Sequence, residues 1–247
     1  MEKILTTVAA FVLIFTLIGG GYYLGRQTPT LPSETTVPIL TQIPTPYPTT
    51  IHSFPTQNLT PSKNISPSPT PIPKSVIITS DTELDGYRSS DGSGNHLQEI
   101  RVGRNVYLVS RGFVSFPLNE IPTGVNIIEA RLKLYQAKIV GKPYSAGSVM
   151  IDHLNYGDSL DNSDYGIAAL VSNFAVLSTS LAVDMKEKNV TLAIKEDIAN
   201  ARSLSQFRIH LSAESTGGTT VGDFIYFAAA ENSLGSGNLP QLVVRYY

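Results

Sequence analysis

The sequence predicts an all-β C-terminal domain, a two-sheet antiparallel β-sandwich (jelly roll) with one short helix, preceded by an N-terminal transmembrane helix and a disordered Pro/Thr-rich linker. Three observations lead to this prediction. Apolar and polar residues alternate along several short segments, as they do in strands that are buried on one face. Turns that contain Gly or Pro separate these segments. An uncharged apolar run and then a proline-rich segment come before them, which assigns residues 1–26, 27–74 and 75–247 to three regions.

The first region contains an uncharged apolar run from Ile4 to Leu24. As a helix, this run would be about 30 Å long, which matches the hydrocarbon core of a bilayer. Tyr22 and Tyr23 lie near its end, where aromatic rings favour the membrane interface. We therefore expect a membrane anchor and a single-pass protein of the cell membrane, with the C-terminal domain extracellular. The alternative is a cleaved signal sequence, for which the three consecutive glycines of the run offer small residues.

The second region is rich in proline, threonine and serine. Residues 27–73 contain 12 of the 16 prolines of the chain and only two charged residues, Glu34 and Lys63. Such a composition cannot bury enough apolar surface to offset the entropy of the chain, so it remains unfolded and favours polyproline II. We expect residues 27–74 to form a disordered stalk that holds the domain away from the membrane.

The third region begins with an apolar strand predicted over residues 75–79. A polar loop rich in Gly, Asp and Ser follows. Residues 99–103 and 105–116 are again apolar and predict a pair of strands around Gly103.

Residues 111–135 predict two strands joined by a turn. The turn contains Pro122, which presets φ, and Gly124, which accepts a positive φ. After it the pattern has period two. Ile128, Ala130, Leu132 and Leu134 face one side, and Glu129, Arg131, Lys133 and Tyr135 face the other. One charged face and one apolar face predict an antiparallel sheet rather than a parallel one.

The remaining segments are short and separated by loops. Residues 167–177 are apolar without clear periodicity and receive no assignment. Val190, Ile194 and Ile198 recur at helical spacing and predict a short helix that ends near Arg202. The other predicted strands are residues 148–155, 179–184, 206–212, 223–230 and 240–247.

Residues 111–135, RGFVSFPLNEIPTGVNIIEARLKLY, resemble a segment of DNRLRE-type domains, which are disaggregatase-related modules, some of them alginate-binding. The closing segment, AAAENSLGSGNLPQLVVRY, resembles the end of the same domains. Order and spacing agree over nearly all of residues 75–247. The resemblance implies a carbohydrate-binding-module-like β-sandwich in a secreted or surface-attached protein. The chain departs from many relatives because it has no Trp and has IDHLNYGDSLDNSDYG in the middle of the domain.

Composition argues against several classes of function. Residues 75–247 contain 14 Lys and Arg against 18 Asp and Glu, without a basic cluster, so we expect no nucleic-acid partner. The chain has no cysteine, which excludes disulfides and thiolate chemistry. The three histidines of the domain lie in separate segments, and no G-x-S-x-G motif is present. We therefore expect no enzyme.

A structural calcium ion is one possible cofactor. Asp158, Asp161 and Asp164 place three carboxylates in one loop, and calcium binds six to eight oxygen ligands. Their spacing does not match an EF-hand loop. Turn-forming hydrogen bonds explain the same aspartates equally well.

The candidate ligand-binding residues are cationic and aromatic. Arg131, Lys133 and Tyr135 share one face of a predicted strand, and Arg208 and His210 share one face of another. If the two strands adjoin, they form a cationic face suited to an anionic polysaccharide. The alternative is an ordinary solvated sheet face.

The sequence thus favours a membrane-anchored, extracellular, non-catalytic module that binds glycan or polysaccharide at the cell surface. The alternative is a structural or adhesive surface protein that uses the sandwich for protein contacts or oligomerisation.

Overall fold

The computed structural model describes residues 71–97 and 99–247. The predicted membrane anchor and nearly all of the predicted stalk lie outside the described residues. Among the residues that are described, no helix is long and apolar enough to cross a membrane.

The described part of the chain is mostly antiparallel β-sheet with one α-helix. Its elements are β1 (Lys74–Thr79), β2 (Gly86–Ser89), β3 (Gly94–Asn95), β4 (Glu99–Arg104), β5 (Val109–Pro117), β6 (Ile127–Val140), β7 (Val149–Leu154), β8 (Val171–Ser178), β9 (Met185–Asn189), α1 (Thr191–Ala199), β10 (Leu204–Leu211), β11 (Asp223–Ala228) and β12 (Gln241–Tyr246). The prediction of an all-β domain with one short helix is therefore confirmed.

The strands follow one another in the order β1-β12-β6-β11-β4-β5-β10-β7-β8. Strand β2 also pairs with β3 and β5, and β9 pairs with β6. The long strand β6 changes partners along its length. Its first part pairs with β12 and β9, and residues from Gln136 onward pair with β11. The sheet consequently curls like half of a barrel around the residues on its inner face.

The main hydrophobic core lies on that inner face because apolar residues alternate along each strand. On β10, Phe207, Ile209 and Leu211 are buried in it, and on β11, Ile225 and Phe227 are. The core also includes residues from β1, β4, β5, β6, β7 and β12 and from α1, such as Ile78, Ile100, Phe116, Leu132, Ile151, Leu242 and Ile194.

A smaller core lies on the opposite face of β5 and β7. Phe113 and Leu154 of these strands pack with Leu84, Tyr156 and Leu160. The rings of Phe113 and Tyr156 meet edge to face at 5.6 Å. The loop after β7 thus covers a face of the sheet that the sequence alone predicts to be exposed to solvent.

Two predicted segments differ from the structure. Residues 179–184 are not a strand, because the side chain of Gln136 donates to the carbonyls of Ser180 and Ala182 and holds the segment outside the ladder. Residues 171–178, all but the last of which lie in the unassigned stretch, form β8. The helix predicted from Val190, Ile194 and Ile198 is confirmed as α1.

Candidate functional site

Arg131, Lys133 and Tyr135 lie on β6 as the alternation predicts, but acidic residues neutralise the two cations. The guanidinium of Arg131 is 2.7 Å from a carboxylate oxygen of Glu129. The ammonium of Lys133 is 3.0 Å from Glu187 on the neighbouring strand β9. The hydrogen bond to Glu129 raises the pKa of Arg131 and lowers that of Glu129. This face therefore offers a polyanion little net attraction.

Arg208 and His210 lie on β10, and this strand does not adjoin β6. Strands β11, β4 and β5 come between them. Both side chains are also buried, at 8% and 7% exposure, under the segments that follow β7. The two strands therefore do not form the predicted continuous cationic face. The prediction failed because the sequence does not show how far apart two strands lie in the sheet.

Asp152 of β7 is the partner of both buried cations. Its carboxylate accepts hydrogen bonds from Arg208 at 2.6 and 2.9 Å, and His210 lies 3.1 Å from its other oxygen. The backbone N–H of Asn173 donates to the same carboxylate at 2.6 Å. Burial alone would raise the pKa of Asp152, but these hydrogen bonds hold it well below its ordinary value.

The network continues to Glu214 and Arg111. Glu214 lies 3.6 Å from His210. Its two carboxylate oxygens accept bidentate hydrogen bonds from the guanidinium of Arg111 at 2.7 and 2.8 Å. The guanidinium of Arg111 also lies over the ring of Tyr165 at 4.4 Å. Every charge in this group has a protein partner, so its arrangement suits a structural role.

The three loop aspartates do not converge. Asp161 caps a short 3₁₀ turn by accepting from the backbone and hydroxyl of Ser163, and Asp164 accepts from the backbone N–H of Asp161 at 2.7 Å. Asp158 is exposed. Across residues 71–97 and 99–247, no group of three or more His, Cys, Asp or Glu side chains is placed to hold a metal ion. The geometry favours the turn-forming role over calcium binding in this loop.

A different face joins cations to aromatic rings. Arg101 of β4 alternates with the core residues Ile100 and Val102, so it lies on the opposite side of the sheet. In the register of the strands it is paired with Tyr226 of β11, which is paired in turn with Lys138 of β6. Three neighbouring strands thus align these side chains in one row, here called the Arg101–Tyr226–Lys138 row.

Cation–π contacts run through this row. The guanidinium carbon of Arg101 is 3.9 Å from the ring centre of Tyr87 and 5.1 Å from that of Phe224. The ammonium of Lys138 is 5.1 Å from the ring centre of Tyr226. Tyr87 and Phe224 are buried, Tyr226 and Arg101 are half-buried, and Lys138 is exposed. The row is therefore rigid at one end and accessible at the other.

The two cations of this row form no salt bridge with the acids of the described residues. Arg101 instead donates to the hydroxyls of Ser89 and Ser110 at 3.2 Å. The charges of Asp91 and Glu99 act on Arg101 and Tyr226 from farther away. Burial raises the pKa of the Tyr226 hydroxyl, while the positive charge of Arg101 opposes that shift. At neutral pH the hydroxyl is therefore a neutral donor.

An open cavity of about 180 Å³ adjoins the accessible end of the row. Its lining includes Tyr226, Lys138, Glu99, Asn232 and Leu234. An aromatic ring for C–H faces, a cation for carboxylates and amide groups for hydroxyls are the groups with which proteins bind sugars. The volume fits about one saccharide unit, so a longer chain would extend along the sheet.

Sequence reasoning missed this row, although a signal was present. Arg101 stands between two core residues in E-I-R-V-G, and Tyr226 alternates with Ile225 and Phe227 in D-F-I-Y-F. The second segment is apolar on both faces, so polarity does not show which of its residues face the core. The pairing of Arg101 with Tyr226 is known only from the register of the strands in the structure.

Comparison with known proteins adds no identification. No protein-family model matches the chain, and no curated protein matches it. The resemblance to DNRLRE-type domains stays a prediction from the sequence.

Proposed function

We propose that the chain is a membrane-anchored, extracellular module that binds an acidic polysaccharide without catalysing its cleavage. In this proposal the apolar residues 4–24 anchor the chain, residues 27–74 form the stalk, and the β domain binds the glycan. The DNRLRE-like segments support the assignment to carbohydrate-binding modules.

We also propose that the domain is a two-sheet jelly roll. Strands β1, β12 and β9 with the first part of β6 would form one sheet, and the remaining strands the other. Residues from both groups, such as Leu132 and Leu242 on one side and Phe207 and Ile225 on the other, contribute to one buried cluster. A shared core between two groups of strands is typical of a sandwich.

One observation supports the binding function above all others: the half-buried Tyr226 lies between Arg101 and Lys138, neither of which forms a salt bridge with an acid of the described residues. A uronate unit stacked on Tyr226 would place its carboxylate within reach of Lys138. Exposed cation contacts and aromatic stacking of this kind contribute about 0.5–1.5 kcal/mol each. Weak affinity, in the millimolar range, would follow.

The test is binding of the full-length chain to a polyuronate, a sulfated glycan and a neutral glucan, measured by calorimetry. We expect binding to the anionic polymers, weakened by salt because exposed charges are screened. Lys138→Ala and Tyr226→Leu should each weaken binding about tenfold, the equivalent of about 1.4 kcal/mol.

Matched controls come from the neutralised face of β6. Arg131→Ala and Lys133→Ala each remove one positive charge from the first part of β6, the strand that also carries Lys138, and we expect less than a twofold change. Equal losses in both sets of variants would mean that affinity depends on net charge alone. Absence of binding to every anionic polymer would contradict the proposed function.

A second candidate function is self-association through the edge strand β8. This strand ends the main order of the sheet, and its residues Val171 and Val176 are each 40% exposed. An apolar strand at the edge of a sheet can pair with the same edge of a second copy. Concentration-dependent sedimentation that Val176→Lys removes would favour this candidate.

A further inference from the structure

A buried carboxylate without a matching cation lies between β1 and β2. Asp85 is fully buried, and one of its oxygens accepts from the backbone N–H of Ala230 at 2.9 Å and from the hydroxyl of Ser80. The other oxygen, Oδ1, has no hydrogen-bond partner among the described residues. No Lys, Arg or His in that part of the chain forms an ion pair with Asp85, which is costly for a buried carboxylate.

A second carboxylate lies beside it. Glu231 directly follows Ala230, whose N–H binds Asp85, so the two side chains start from neighbouring backbone. The Oε2 atom of Glu231 is buried and has no hydrogen-bond partner among the described residues either. Two carboxylate oxygens without partners therefore belong to side chains that are linked through Ala230, and the charge of Glu231 acts on Asp85.

The electrostatics of this pair call for a positive charge. Burial, together with the negative charges of Glu231 and Asp81, raises the pKa of Asp85 to about 7, and burial also raises the pKa of Glu231. His96 lies 3.8 Å from Glu83, and its charge also opposes the rise in the pKa of Glu231. None of the groups that act on Asp85 is a cation, so a proton or a bound cation would relieve its repulsion with Glu231 and Asp81.

We propose that Asp85 and Glu231 bind a calcium ion. Both free ligand atoms are carboxylate oxygens, which calcium prefers and zinc does not. Calcium also accepts irregular geometry and completes its shell with backbone carbonyls and water, whereas magnesium demands near-ideal octahedral geometry. Two carboxylates alone predict modest affinity, in the range of about 0.1–1 mM that is found in extracellular modules.

Such an ion would join two distant parts of the chain. Asp85 follows the first strand, and Glu231 precedes the last, so one bound ion would hold the opening and the closing of the β domain together. This site is distinct from the loop of Asp158, Asp161 and Asp164. It does not depend on the proposed glycan-binding row, so each proposal can fail without the other.

The experiment measures the thermal midpoint of the chelator-treated, full-length chain against added calcium chloride at pH 7.5 and pH 5.5. We expect the midpoint to rise by about 5–10 °C at a calcium concentration 100-fold above Kd. The rise should be smaller at pH 5.5, because protons compete for both carboxylates. Magnesium chloride at the same concentrations should give a smaller rise.

Four variants localise the effect. Asp85→Asn and Glu231→Gln should abolish the rise, and Glu231 is partly exposed, so its variant keeps the test valid if Asp85→Asn does not fold. Asp158→Asn and Asp161→Asn are the matched controls and should retain the full rise. A calcium effect that persists in Glu231→Gln, or that Asp158→Asn removes, would overturn the proposal.

A shared proton is the other way to relieve the pair. A folded pKa above the unfolded value means that the protein loses stability as pH rises from about 4 through 7, and this dependence should shrink when calcium is present. If calcium leaves the midpoint unchanged while Asp85→Asn removes the pH dependence, a proton occupies the pair and the calcium proposal is wrong.

Discussion

At the scale of single residues, the outer face of β10 shows how a polar pattern can be buried. Arg208 and His210 alternate with the core residues Phe207 and Ile209, as exposed residues of a strand would. The loop after β7 covers them, and the carboxylate of Asp152 sits between them. The desolvation cost of burying them is offset only because every charge has a hydrogen-bonded partner.

Removing one member of this group should therefore be costly. We predict that Arg208→Ala lowers the free energy of unfolding by about 3 kcal/mol, because Asp152 would keep a buried charge with fewer partners. Urea denaturation followed by circular dichroism measures the loss. The control Arg131→Ala breaks an exposed ion pair and should cost far less, because solvent screens such pairs. Similar losses in both variants would show that the buried group stabilises the protein no more than an exposed ion pair does.

At the scale of elements, helix α1 ends in an unusual way. Ala201 has φ of 53°, in the left-handed region where glycine is the usual residue. The backbone N–H of Arg202 donates to the carbonyl of Asp197, which closes the helix. The side chain of Arg202 also reaches the buried carboxylate of Asp197 at 2.8 Å, and His153 lies 2.9 Å from that carboxylate. These contacts hold the end of the helix against β7.

A glycine should fit this helix end better. We predict that Ala201→Gly stabilises the protein by about 0.5–1 kcal/mol, since it relieves the strain of a left-handed alanine. The matched change Ala199→Gly, in the last turn of the same helix, should destabilise by a similar amount. Thermal unfolding of the two variants compares them directly. A loss of stability in Ala201→Gly would mean that the contacts of Arg202 already offset the strain.

The elements themselves follow from the sequence wherever polarity alternates. The period-two pattern predicted β6 and β10, and the spacing of Val190, Ile194 and Ile198 predicted α1. Residues 179–184 have the same apolar character but are held by the side chain of Gln136, a residue more than 40 positions away. Local pattern cannot show such a contact.

The candidate site was less predictable than the fold for the same reason. Arg131 and Arg208 looked equivalent as cations on strand faces, yet one is neutralised at the surface and the other is buried. The partner of Arg131, Glu129, is on the same strand and visible in the sequence, but Asp152, the partner of Arg208, is on another strand. Arg101, Tyr226 and Lys138 become neighbours only through the pairing of β4, β11 and β6.

At the scale of the whole molecule, β6 connects two groups of strands. Leu132 pairs with β12 and β9 in one group, and Ile139 pairs with β11 in the other. Leu134, between them, is fully buried in the main core. Because both groups share this strand and this core, we expect the domain to unfold as one cooperative unit.

The variant Leu134→Ala tests that expectation. We predict a loss of about 2–5 kcal/mol, because a buried cavity adds to the lost transfer free energy. Hydrogen exchange followed by mass spectrometry should show the amides of β12 and β10 losing protection together, with one transition and an unchanged urea m-value. The control Leu192→Ala changes a side chain that is 74% exposed on α1 and should have little effect. If β12 loses protection while β10 keeps it, the two groups of strands are separate folding units, and the shared core does not couple them.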